Sequence, residues 1–213
     1  VIKDNSLNFL SSEKNFKGEV NFKPFYFLTD LNFNYISQRK IFQSESLLID
    51  LLDSELLNNP NLNASINIKI DKIDKFEYLQ DFFSKIHLGD GRILIKNFNT
   101  QWNDAVLIGS NEIEFLNDMD GKKLVGEVIF NFEDIEKFFR YFQIKRNYRD
   151  VFETIKLDFV YDLTLDKLIM NNLKIDNNSF KKIDNFINQY NKINNSSFNK
   201  VTIRNFIKEF FQV

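Results

Sequence analysis

Thr154-Ile155-Lys156-Leu157-Asp158-Phe159-Val160-Tyr161-Asp162-Leu163 is the stretch that decides the fold class. Ile155, Leu157, Phe159, Tyr161 and Leu163 alternate with Lys156, Asp158, Val160 and Asp162. Successive side chains of an extended chain point to opposite sides, so this alternation predicts a strand with one buried face. Working outward, the same period of two recurs. Phe25, Phe27, Leu31, Phe33 and Tyr35 alternate with Tyr26, Leu28, Asp30, Asn32 and Asn34, and Ile66, Ile68 and Ile70 with Asn67, Lys69 and Asp71. Further strands are predicted over 19–22, 85–88, 92–98, 106–108, 112–116, 124–132 and 168–175. Gly89-Asp90-Gly91, Asp118-Met119-Asp120-Gly121 and Thr164-Leu165-Asp166-Lys167 sit between them as reversals, because Asp and Gly tolerate left-handed backbone or bond it locally. Pro stands only at 24 and 60, so the strands run largely uninterrupted.

Elsewhere the period lengthens to that of a helix. Ser44 or Ser46 is placed to cap a helix burying Leu47, Leu48, Leu51, Leu52 and Leu56, ending near Asn58-Asn59-Pro60. Phe76, Leu79, Phe82 and Phe83 read as a second helix, and Ile135, Phe138, Phe139 and Phe142 as a third. Ser179 precedes Phe180, Ile183, Phe186, Ile187 and Tyr190, and Thr202 precedes Ile203, Phe206, Ile207, Phe210 and Phe211. Residues 68–76 echo residues 130–138, each a strand ending at an acidic residue and running into a Phe-rich segment. The expectation is an α+β fold: an antiparallel, meander-rich sheet, curved or groove-like, with four to five short amphipathic helices packed on it. Residues 1–176 are expected to form the β-rich domain with its interspersed helices, and 177–213 a C-terminal helical segment on the same core.

Composition removes whole classes of chemistry. The chain of 213 residues carries 28 Lys+Arg against 30 Asp+Glu, a net charge of −2, which argues against a polybasic nucleic-acid binder. Cys is 0 and His is 1, so a multi-histidine metal site and thiol or zinc-thiolate chemistry have no material. No Gly-x-Gly-x-x-Gly, P-loop or Gly-x-Ser-x-Gly occurs, and with Gly at 6 phosphate-cradling loops are not expected. We therefore expect no catalytic residues, no cofactor and no metal, and no enzymatic activity. Phe, by contrast, numbers 25, and each buried ring removes about 150–250 Å² from water.

Four local features come into question as sites. His87, between Ile86 and Leu88, reads as a solvent-face strand residue. Asp118 and Asp120 begin like a calcium loop, but Gly121-Lys122-Lys123 does not continue it, so the stretch reads as a turn. Asp158 and Asp162 share a strand face and could be paired carboxylates; the wet side of a sheet explains them as well. Lys145-Arg146-Asn147-Tyr148-Arg149 is a basic cluster that reads as a solvated loop. More telling, residues 25–28 and 124–132 are apolar at both odd and even positions. Such strands need core on one side and a helix or an apolar ligand on the other. On that ground Phe25, Phe27, Val128, Phe130 and Phe132 are the candidate apolar ligand surface.

The rhythm of Ile86-His87-Leu88-Gly89-Asp90-Gly91-Arg92-Ile93-Leu94-Ile95-Lys96-Asn97-Phe98-Asn99-Thr100-Gln101-Trp102 resembles the strand, acidic-Gly, strand, Asn-x-Thr pattern of AsmA-like proteins. Residues 62–70 and 168–176 are similar to the same family, so the resemblance spans 62–176 and is to its C-terminal periplasmic region. It implies a non-enzymatic periplasmic module of a protein anchored to the inner membrane. Such a module would bind lipid or acyl chains in an apolar groove and take part in outer-membrane assembly or lipid transport, with other envelope proteins as further partners. No window here has the about 18 consecutive apolar residues of a membrane span. The sequence begins at Val1, so the anchor is expected in a segment preceding it. The alternative is a closed structural or protein-interaction domain of the envelope with no ligand.

Overall fold

Among the described residues eleven strands lie side by side in the order in which the chain makes them. They are β1 (Ile2–Lys3), β2 (Ser6–Leu10), β3 (Phe16–Phe22), β4 (Phe25–Ile36), β5 (Asn63–Ile73), β6 (Leu79–Gly89), β7 (Arg92–Trp102), β8 (Val106–Asp118), β9 (Gly121–Phe132), β10 (Thr154–Asp162) and β11 (Lys167–Ile175). Helix α1 (Ile135–Tyr141) joins β9 to β10, and α2 (Lys181–Lys192) follows β11. The computed structural model describes residues 2–3, 6–10, 16–22, 25–36, 59, 61–73, 78–118, 121–165, 167–178 and 181–192, with 204, 205, 207, 208 and 210.

Two corrections to the expected fold follow. First, the sheet is mixed: β4 and β5 run parallel, Phe27 opposite Ala64 through Ile36 opposite Ile73, while the other neighbours are antiparallel. A parallel pair needs a long crossover, and the crossover spans 37–62, which holds the helix expected over 47–56. That helix lies outside the described residues. Second, the molecule is mostly sheet. The described residues hold two short helices, with helical backbone at the described positions from 204 to 210, in place of four to five helices packed on a sheet. The helix expected through Leu79, Phe82 and Phe83 is instead the start of β6. Phe82 pairs with Ile70 and Phe83 with Lys69, so the two rings point to opposite sides of a strand. Residues 74–77, where the first copy of the echo continues, lie outside the described residues.

Register turns the alternation into one apolar face. Paired residues share a side, and the pairings line up Phe27, Ala64, Leu88, Ile93, Phe115 and Leu124 across six strands. The next row is Thr29, Ile66, Ile86, Ile95, Ile113 and Gly126. The same side of β10 and β11 carries Ile155, Leu157, Phe159 and Tyr161, and Leu168, Met170, Leu173 and Ile175. Ala64, Ile86, Leu88, Ile93 and Phe115 are buried as one cluster, with Phe27, Ile66, Ile68, Ile95, Leu124 and Leu163 packed around it.

Bulges keep that face in phase. In β7 the apolar positions shift from Ile93 and Ile95 to Phe98, Thr100 and Trp102, and the register against β6 slips at that point. Asn97, at φ 52, takes the left-handed conformation that absorbs the extra residue. Asp81, at φ 51, does the same in β6. Phe98 therefore meets Phe82 edge to face at 5.4 Å between centroids. In β8 the slip lies between Gly109 and Ile113, opposite Gly126. A Cβ on Gly126 would sit 2.9 Å from the Glu112 carbonyl oxygen, so only glycine lets β9 approach the bulged strand.

The helices cover part of the face. Asp134 caps α1 by accepting from the Lys137 amide at 2.7 Å. Phe139 of α1 and Phe142 that caps its C-terminus, with Ile144, Phe152 and Ile207, form a second buried cluster against Trp102, Phe132, Ile155 and Ile175. Ile183, Phe186 and Ile187 of α2 make a third with Met170 and Leu173, touching Ile155, Leu157 and Phe210. No helix among the described residues is long and apolar enough to cross a membrane.

The apolar face as candidate ligand site

Four of the five candidate ligand residues fall on the apolar side of the sheet, Phe27 in the row of Ala64 and Leu88 on β4 to β6, and Val128, Phe130 and Phe132 alternating with Ile129 and Asn131 along β9. Their surroundings differ. Phe27 packs at the margin of the aliphatic cluster. Val128 and Phe130 are half-buried. Phe132 is engaged by protein: its ring meets Phe138 at 5.1 Å and Phe152 at 4.9 Å, both edge to face. Phe25 begins β4, and its side chain lies outside the described residues. Sequence reasoning passed over Ile66, Ile95 and Leu124, which belong to the same face; the signal that finds them is pairing register rather than local composition.

One polar group stands out on this side. Ser84, between Phe82 and Ile86 on β6, is 2% exposed and its hydroxyl has no hydrogen-bond partner. Buried Thr29 and Thr100, by comparison, donate to the Lys17 and Gln80 carbonyls at 2.9 and 2.8 Å. Toward β4 the face opens: Phe33 is 36% and Tyr35 61% exposed.

The opposite side of the sheet is charged. Lys17, Asp30, Asn67, Lys85, Lys96 and Glu112 form a transverse row through successive pairings. Asp30 accepts from the Asn67 amide at 2.7 Å and pairs with Lys17 at 3.2 Å. The amide, and secondarily the ammonium, hold its carboxyl below the usual range. Lys96 meets Glu112 at 3.5 Å. His87 lies on this side, opposite Ser65 and Leu94. Val125 and Ile129 of β9 also lie here, half-buried among Lys123, Glu127 and Asn131, so that strand is apolar on one side and mixed on the other.

The candidate carboxylates are engaged structurally. Asp158 accepts from the Asn172 amide at 2.9 Å. Asp162 accepts from the Thr164 and Leu165 amides, each at 2.9 Å, which fixes the β10–β11 turn. Four residues of strand separate them by about 13 Å, beyond the ~5–9.5 Å of a glycosidase pair. Asp118 pairs with Gly121, while Met119 and Asp120 lie outside the described residues. In the basic cluster Arg149 donates to the Ile144 carbonyl, pairs with Glu136 and lies 5.8 Å over the Phe139 ring, so it braces α1. Lys145, Arg146 and Asn147 are exposed. Among the described residues no group of three or more His, Cys, Asp or Glu is arranged to hold a metal. Compared with protein-family models, curated proteins and solved structures, the chain matches none.

Proposed function

We propose that this chain is a non-enzymatic binding module that presents its apolar sheet face to lipid acyl chains. The observation that carries the reading is the predominantly apolar side running from Phe27 on β4 to Ile175 on β11, with Phe130 half-buried at its centre and Phe33 exposed at one margin. An extended hydrocarbon needs area and shape, with few polar partners. Together with the AsmA-like resemblance, this supports a periplasmic module held to the inner membrane by a segment outside this sequence, in outer-membrane assembly or lipid transport. The test is native mass spectrometry of the purified chain followed by lipid extraction. Co-purified phospholipid or fatty acid, lost in Phe27→Asp and Phe130→Asp variants that keep the wild-type circular dichroism, supports the reading. A clean protein mass under gentle ionisation overturns it.

A second reading is a closed interaction domain of the cell envelope. Its support is the way α1 and α2 already cover Phe132, Met170 and Leu173, which leaves less of the face for a ligand. Capture of an envelope protein in place of lipid is the outcome that favours it.

A further inference from the structure

A sheet ends in a row of backbone amides and carbonyls that invite another strand, and the C-terminal edge of this sheet is closed in an unusual way. Asp176 and Asn177 turn the chain back with φ 47 and 63, the geometry of a tight hairpin. Asn178 then pairs with Ile175 as a twelfth strand would begin: its amide donates to the Ile175 carbonyl at 2.8 Å, and the Ile175 amide to its carbonyl at 3.0 Å. Lys181 opens α2 instead. The helix covers about 15 Å between Lys181 and Asn191, close to the about 17 Å of strand from Ile175 back to Met170. At its far end the Asn191 side chain accepts from the Met170 amide at 3.0 Å and donates to the Met170 carbonyl at 2.7 Å. A primary amide carries the same donor and acceptor as a peptide group, so Asn191 takes the place of a strand residue. Ile183, Phe186 and Ile187 hold the helix down on Met170 and Leu173.

We infer that the turn at 176–178 and helix α2 form an edge latch: a helix tipped with a strand-mimicking amide that denies β11 to an incoming β-strand, the strand at hand being β11 of a second copy. The inference does not depend on what the apolar face binds. The latch is tested in the full chain with Asn191→Ala and Asn191→Leu, using hydrogen exchange resolved at Met170 and sedimentation velocity across concentrations. Because the chain has no cysteine, Asn171→Cys, at an exposed position of β11, reports edge-to-edge contact as a disulfide-linked dimer. Loss of the amide should speed Met170 exchange by roughly tenfold, the equivalent of one hydrogen bond. It should also produce concentration-dependent dimers, with the disulfide cross-link forming when Asn171→Cys is combined with Asn191→Ala and not in Asn171→Cys alone. Cooperative thermal unfolding of each variant establishes that it is folded. Unchanged Met170 exchange overturns the latch. Faster exchange in a chain that stays monomeric overturns it too, since the edge is then open and no strand adds.

Discussion

The two ends of the apolar face are written in the same pattern and treated differently. At β10 and β11, Ile155, Leu157, Met170 and Leu173 lie under helices, and Met170 is 1% exposed. At the far end of β4, Phe33 and Tyr35 continue the alternation just as cleanly, yet stand 36% and 61% exposed. Alternation therefore specifies which side of a strand is apolar, and a separate element decides whether that side is covered. For a binding surface the uncovered end matters, because a covered residue has already committed its contacts to the protein's own core.

The comparison can be broken most severely under α1. Phe139 is 1% exposed and packs among Phe138, Phe152 and the Arg149 guanidinium. Phe139→Ala should destabilise the chain by about 3–5 kcal/mol, through lost burial and the cavity left behind. Urea unfolding measures it, and a cost below that of an ordinary surface substitution would show that α1 is not what closes this end.

A smaller effect is expected at the turn that leads to α2. Asp176 accepts from the Thr154 amide at 2.8 Å, the Glu153 amide at 2.9 Å and the Thr154 hydroxyl at 3.3 Å. These bonds, the Thr154 amide foremost, hold its carboxyl below the usual carboxylate range. A depressed folded pKa means that the contribution is present above the unfolded pKa and is lost as pH falls through the folded one. Asp176→Ala should cost on the order of 1 kcal/mol at neutral pH, small because the site is exposed. Asp176→Asn should flatten the acid limb of stability against pH. An unchanged acid limb in Asp176→Asn would mean that the carboxylate's charge does not anchor the turn.

The smallest effect sharpens the contrast. Phe33→Tyr, at the exposed end, should change folding stability by no more than about 0.5 kcal/mol, read from the same urea titration. A loss several times larger would reveal a cover over β4 and remove the distinction between the two ends.

Much of the sheet was legible because its signal is local. Strands, the Gly89-Asp90-Gly91 reversal and the α1 stripe of Ile135, Phe138, Phe139 and Phe142 follow from alternation, turn chemistry and helical spacing within a few residues. The start of β6 was misread for a physical reason. Leu79, Phe82 and Phe83 stand at the spacing of one helix face, but a strand with apolar residues on both sides produces the same spacing. The phase shift from Ile93 and Ile95 to Phe98, Thr100 and Trp102 was also present to be read, since an asparagine at the break marks a bulge.

By itself, then, the chain's order of residues determined which segments extend, which side of each is apolar, and where tight turns reverse them, because these depend on neighbours one to four positions away. Tertiary structure alone decided that β4 and β5 run parallel, that the rows of eight strands align into one face, and that Asn191 stands in for a strand beside Met170. The parallel pair joins residues 37 apart, as Asp30 and Asn67, the face is completed by pairs such as Leu124 with Tyr161, also 37 apart, and Asn191 is 21 residues from Met170. No local periodicity encodes such a pairing; it is selected by the apolar area that the assembled face buries.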